Sequence, residues 1–404
     1  MIPPRWPLHP PPLPGEALSS WLERTASAYD LPLTTLLEHN LGTAGRQVSK
    51  VKRAQHHDQL DTDPPALLLE VLHERSGVPV GQLRHMTIAG WTPWLLDTLD
   101  VEQAGTFNCF VRQDSVLFDH TMIAHGSDPV RWRPWLQSAD GAERRQRACP
   151  LCAERPEHGL LLMAQLPIML GCPEHGCLLQ PAGLAVRHYP GAPDPEVTAV
   201  TEMVQAMDRR THEGITTGQV TLPRRTVHVG VWFRLLRIVL DEVNTPTSFL
   251  RHKADKATLE TIWARVERPV RAGQIRWAPY EALDWDRQAA MLEAAAMAMH
   301  LSSQGIIWAR GTLGSLLSRE PDRPVRSDPD PTVAWTNAVR DFNAWLLTIV
   351  DDRDASRQLL IQLSATNRTP EGYELTRQGL INSGLRAEHL PHWPGMNVMV
   401  LPDA

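Results

Sequence analysis

The chain has 404 residues, 42% of them hydrophobic and 21% charged, which suits two to three folded domains and excludes disordered and fibrous classes. With 40 Lys+Arg against 46 Asp+Glu the net charge is −6, so there is no global electrostatic bias toward nucleic acid or anionic membrane, and any such binding has to be local. The apolar runs fall far short of the ~18 to 20 residues a bilayer span needs, so no membrane association is expected. Residues 1 to 15 hold seven prolines and no apolar stretch behind a basic start, unlike a secretory leader. A cytoplasmic, reducing compartment is the expectation, and there five cysteines point to metal rather than to a disulfide framework.

Downstream of the prolines, Leu18 to Ala28 has helical apolar spacing, Asp30-Leu-Pro32 breaks it, and Leu33 to His39 resumes it. This fits a helix-turn-helix or an ordinary helical hairpin. Residues 46 to 57 then place Arg46, Lys50, Lys52 and Arg53 beside two histidines with no acid among them, a set suited to phosphate contact or to a solvated loop. A second helical pair is expected from Ala66 to Arg75 and Val80 to His85, turning at Ser76-Gly77. The pairs Trp91/Trp94 and Trp132/Trp135 read either as core or as partner anchors. Arg131, Arg133, Arg144, Arg145 and Arg147 crowd before the next motif, where DNA or an acidic partner patch is one destination for them.

That motif is the most specific in the chain. Cys149-Pro-Leu-Cys152 is followed after nineteen residues by Cys172-Pro-Glu-His175-Gly, two knuckles of equal spacing, each able to hold one metal from a tight turn. Three thiolates and an imidazole fill a tetrahedral zinc and leave no open position for a catalytic water, so one structural Zn2+ per chain is expected on Cys149, Cys152, Cys172 and His175. Cys177 is left over, as a buried small side chain or a substitute ligand, and Cys109 is assigned to the core. Zinc-deaminase, zinc-protease, nucleophile-elbow and Walker A patterns are all absent from the sequence, so no enzyme is expected.

Prolines in 181 to 195 and 320 to 331 mark two linkers. Residues 181 to 280 between them carry 14 basic and 10 acidic side chains, whereas the flanking parts are each acidic by 5. Arg209, Arg210, Arg224, Arg225, Arg234 and Arg237 fall within thirty residues that contain Glu213 as their one acid, a candidate nucleic-acid surface. Helical spacing over Val231 to Val243 places Arg234 and Arg237 opposite an apolar face of Val231, Leu235, Ile238 and Val239. Further helices are expected at Arg287 to Leu301 and Thr332 to Val350. The resulting fold class is mainly α, with a helix-turn-helix module over 1–148, a small zinc-knuckle unit over 149–185, a basic helical domain over 196–320 and a helical C-terminal domain over 332–404.

Pro12-Leu-Pro-Gly-Glu-Ala-Leu-Ser-Ser-Trp-Leu-Glu-Arg24, followed at a distance by the two knuckles, resembles the TniQ family of bacterial transposition proteins, relatives of TnsD; residues 75 to 87 also resemble the segment between those motifs. The resemblance covers residues 1 to about 185. It implies a non-catalytic accessory that helps select the target site, linking double-stranded target DNA, or an RNA-guided CRISPR complex bound to it, to an AAA+ ATPase and through that to a DDE transposase. Homodimerisation is implied by the same resemblance. A stand-alone zinc-containing helix-turn-helix transcription regulator is the alternative.

Overall fold

The computed structural model describes residues 5–49, 59–92, 94–95, 115–118, 147–155, 158–181, 194–247, 250, 252–266, 280, 283–318, 345–364 and 369–393. The described residues are mainly helical, with two short two-stranded antiparallel sheets. Helix α1 (Leu18–Ser27) stops where Asp30 takes the left-handed conformation (φ 55°) and Pro32 follows; α2 (Leu33–Asn40) and α3 (Gly42–Ser49) then pack on one another. Helix α4 (Ala66–Ser76) ends on Gly77 at φ 76°, and α5 (Val80–His85) follows three residues later. Both expected helical pairs therefore form, with their turns at the expected breakers. Trp6, Trp21, Leu22, Leu37 and Leu72 are among the side chains that fuse them into one core.

The string around Glu16 is a polar clamp between this module and the segment carrying the knuckles. Gly15 turns the chain at φ 73°, a conformation glycine adopts without strain. The buried Glu16 carboxylate accepts from Leu13 N (2.9 Å), Ser20 Oγ (3.1 Å) and both Arg24 Nε (2.7 Å) and an Arg24 terminal nitrogen (2.8 Å). Such a two-pronged pair satisfies a buried acid that would otherwise be costly to desolvate. Trp21 Nε1 donates to Pro10 O at 2.7 Å, which ties down the proline-rich start. Ala17 N donates to Leu160 O and Leu162 N to Gly15 O, each at 2.9 Å, making a bridge between Glu16 and Leu161. Two strings well separated in sequence thus meet edge to edge.

Strand β1 (Arg147–Ala148) pairs with β2 (Gln180–Pro181) and closes the knuckle segment at its base. Helix α6 (Glu202–Thr217) starts on Thr201, whose hydroxyl accepts from Val204 N, and stops at Gly218 with φ 75°. A hairpin of β3 (Gln219–Thr221) and β4 (Thr226–His228) leads into α7 (Val229–Val243), with His228 as its N-cap. Helix α8 (Lys253–Arg265) and the alanine-rich α9 (Trp285–Ser303) complete this part. Alanines 294, 295, 296 and 298 of α9 are buried, and their small size permits close approach to α6 and α7. One continuous core takes in Cys149, Leu166, Met169 and Cys172 together with Met207, Trp232, Phe233 and Leu292. Packing thus joins the expected knuckle unit to the expected middle block.

Leu346, Ile349, Leu360, Tyr373, Leu380 and Leu390 belong to a separate core, built on α10 (Arg353–Ser364) and α11 (Pro370–Asn382). The helix expected over Thr332 to Val350 falls largely outside the described residues; 345 to 348 form a helical turn. Among the described residues, no helix is long and apolar enough to cross a membrane.

Candidate metal centre

Cys149 caps the single helical turn Pro150–Ala153, and its Sγ accepts from Cys152 N. The proline at the first position of that turn gives up an amide that would have no partner there, which makes the bend cheap. In the second knuckle Cys172 Sγ faces the His175 amide at 3.5 Å, Gly176 turns at φ 63°, and Gly176 N donates to Cys172 O at 2.9 Å. Each Cys-Pro-x-x sequence therefore forms a tight turn with its first sulfur aimed at its own amides.

Cys149, Cys152, Cys172 and His175 present one ligand atom each, all within 4.8 Å of one another. His175 Nδ1 lies 3.5 Å from Cys149 Sγ, 3.3 Å from Cys152 Sγ and 3.6 Å from Cys172 Sγ, and the Cys152 and Cys172 sulfurs are 3.8 Å apart. A tetrahedral ion with metal–sulfur bonds of about 2.3 Å and metal–nitrogen bonds of about 2.0 Å requires edges of roughly 3.8 Å and 3.5 Å. These four separations lie close to the edges such an ion requires. Cys177 Sγ touches Cys149 Sγ at 3.3 Å and lies outside the four-ligand group. Burial pushes its thiol up to about 12, so it stands as a neutral neighbour of a ligand. On the rim, Glu174 lies 3.7 Å from His175 Nε2 and 3.6 Å from His158 Nε2, a carboxylate suitably placed to orient the ligating imidazole.

Two buried polar side chains, Arg147 and Asp208, fix the segment that delivers Cys172. The Arg147 guanidinium donates to Met169 O at 3.0 Å and to Leu166 O, and lies 3.9 Å over the Trp285 ring. Asp208 of α6 accepts from Leu170 N at 3.3 Å and Gly171 N at 2.6 Å. Burial pushes the Asp208 carboxyl up to about 8, against those two amide donors, which favour the charged form. Arg147 is thus buried and committed to backbone carbonyls, which corrects its expected outward role with the preceding arginines; Arg131, Arg133, Arg144 and Arg145 lie outside the described residues. Its place two residues before Cys149 was a usable signal in the sequence. Asp208 had none, because its partners are amides nearly forty residues away.

The expected basic residues separate into distinct settings. Arg224 and Arg225 are exposed at the tip of the β3–β4 hairpin. Arg46 is exposed on α3, while Lys50, Lys52 and Arg53 lie outside the described residues. Arg209 Nε donates to Pro173 O at 3.1 Å. Arg210 and Arg234 are half-buried, and burial lowers the pKa of both. Arg237 is buried, 3.6 Å from Asp241 one helical turn on. Its expected exposed position opposite the apolar face is corrected: Trp232, Phe233, Leu236 and Leu240 bury α7 on nearly every side. The tryptophan pair divides too. Trp91 is buried edge-on to Phe233, whereas Trp94 is 50% exposed and packs on His228; Trp132 and Trp135 lie outside the described residues.

Comparison with protein families matches residues 7–179 to TniQ. Comparisons with curated proteins and with solved structures found no match. The matched region begins at the proline-rich start, includes the Glu16 clamp and both knuckles, and ends two residues beyond Cys177. Residues 7–179, a little under half of the chain, are thus a TniQ domain, which implies a transposition-associated accessory role.

Proposed function

We propose that the chain is a non-catalytic target-selection protein of a transposition machine, built around one structural zinc ion. It links target DNA, bound directly or through an RNA-guided complex, to an AAA+ ATPase that recruits the transposase. The observation that carries this reading is the TniQ region with its closed three-cysteine, one-histidine centre. Those donors suit zinc, and a site filled by four protein ligands contributes folding energy rather than a reactive water. The exposed Arg224 and Arg225, with Arg46 on the N-terminal module, supply cations for phosphate contact. In the sequence, Lys50, Lys52 and Arg53 follow Arg46, and Arg210 and Arg234 stand on either side of Arg224 and Arg225.

The test is co-sedimentation of the purified full-length chain with the AAA+ ATPase of its own element, with and without target duplex. Association that strengthens with DNA is expected. Sequence-specific duplex binding with no ATPase association would instead identify a stand-alone regulator and overturn the proposal.

A further inference from the structure

Helix α6 begins more than twenty residues beyond the end of the TniQ match, yet it faces the metal centre with a stripe of polar residues. Gln205, Asp208, Arg209 and His212 recur at three, four and seven residues, which puts them on one face. Asp208 holds the Leu170 and Gly171 amides, and Arg209 holds the Pro173 carbonyl. Gln205, with its amide oxygen turned to the knuckle, accepts from Gly176 N at 3.2 Å and from an Arg209 terminal nitrogen at 2.9 Å. The fit is close on the knuckle side. A side chain at Gly176 would meet the Gln205 amide group at 2.5 Å, and one at Gly171 would come within 3.2 Å of Asp208 Oδ2. His212 lies against Gly15 of the N-terminal clamp, where an added Cβ would come within 3.3 Å of its ring.

The other end of the same helix holds the basic hairpin. Glu213 accepts from Thr221 N at 3.2 Å and Thr221 Oγ1 at 2.8 Å, and Val229 N donates to Gly218 O at 3.0 Å. Gln205 and Glu213 are eight residues apart, about 12 Å along a rigid helix.

We infer that α6 is an outer wall of the metal centre. Gln205, Asp208 and Arg209 are positioning residues for the Cys172–Gly176 turn, and metal loading fixes the helix and, through Glu213, the hairpin that carries Arg224 and Arg225. Arg209 on this account serves the knuckle rather than a phosphate. The inference stands independently of what the hairpin binds.

The experiment uses the full-length protein loaded with zinc, or with Co2+ for its visible spectrum. Arg209→Ala, an exposed change that leaves the core intact, and Asp208→Asn are compared with wild type and with Arg224→Ala. Transfer of metal to a chromophoric chelator is expected to be about ten- to a hundredfold faster in the first two variants, with an altered Co2+ spectrum and no change in Arg224→Ala. Hydrogen exchange on the metal-free wild type is expected to show lost protection across 202–228 while α1 and α2 keep theirs. Wild-type release rates and spectrum in Arg209→Ala, or undiminished protection of 202–228 after metal removal, would overturn the inference. If Asp208→Asn does not fold, Arg209→Ala and the exchange experiment decide it.

Discussion

Cys149, Cys152, Cys172 and His175 lie close enough together to hold one metal ion, and zinc is the ion we propose. Cys149→Ser or Cys172→Ser should therefore abolish stoichiometric binding, about one zinc per chain in the wild type by atomic absorption. Near-ultraviolet circular dichroism should report loosening of the core around Leu166 and Met169, since the metal's binding energy is folding energy here. A well-packed metal-free variant would contradict this. Glu242 gives a prediction of a different kind. It is buried and accepts from Val116 N (2.9 Å), Leu117 N (2.7 Å) and Ser115 Oγ, pinning residues 115 to 118 onto α7. Burial pushes its carboxyl from 4.5 up to about 7, opposed by those donors. Because the folded value is the higher one, the stability linked to the protonated form is complete below pH ~4.5 and is lost as pH rises through 7. Relative to Glu242→Gln, the wild type should lose roughly 2 to 3 kcal/mol between pH 5 and 8 in urea unfolding; a gap independent of pH would refute it. Trp21 is fully buried, and Trp21→Ala should lower stability by about 3 to 5 kcal/mol.

Among the elements, those whose boundaries depend on local chemistry were legible in the sequence. The first helical pair breaks at Asp30 and Pro32 and the second at Gly77, as their sequences require, and each knuckle closes on a proline after its first cysteine, with Gly176 added in the second. What could not be read depends on distant contacts. Helix α7 shows apolar spacing on one side, yet α6 and α9 pack on it so fully that Arg237 is buried. The β3–β4 hairpin carries weak strand signals, and its register follows from Val220 and Val227 facing the core. Trp91 and Trp94 look equivalent by spacing, and only the position of Phe233 and His228 tells them apart. On the exposed hairpin, Arg224→Glu with Arg225→Glu should weaken duplex DNA binding by a similar factor on every sequence. The slope of log affinity against log salt should become shallower by about 2. An unchanged slope would move the contact to the N-terminal module and Arg46.

At the scale of the molecule, the N-terminal module has its own core, and the knuckles share theirs with the helices that follow the family region. The Glu16–Leu161 bridge and the bond from Leu160 N to Ser20 Oγ at 2.8 Å fasten these two cores together, so the string around Glu16 meets the segment that runs between the two knuckles. Composition, with its net charge of −6, conceals this arrangement, because cations exposed on the hairpin are offset by acids elsewhere in the chain. On the function we propose, this molecule chooses where an element inserts and leaves the cutting and joining of DNA to the transposase. The most direct measurement is the distribution of insertion sites in cells carrying the complete transposition machinery, with the gene for this chain intact or deleted. Deletion should abolish insertion at the preferred target while the purified transposase retains its strand-transfer activity. An unchanged distribution of insertions without the chain would contradict the account.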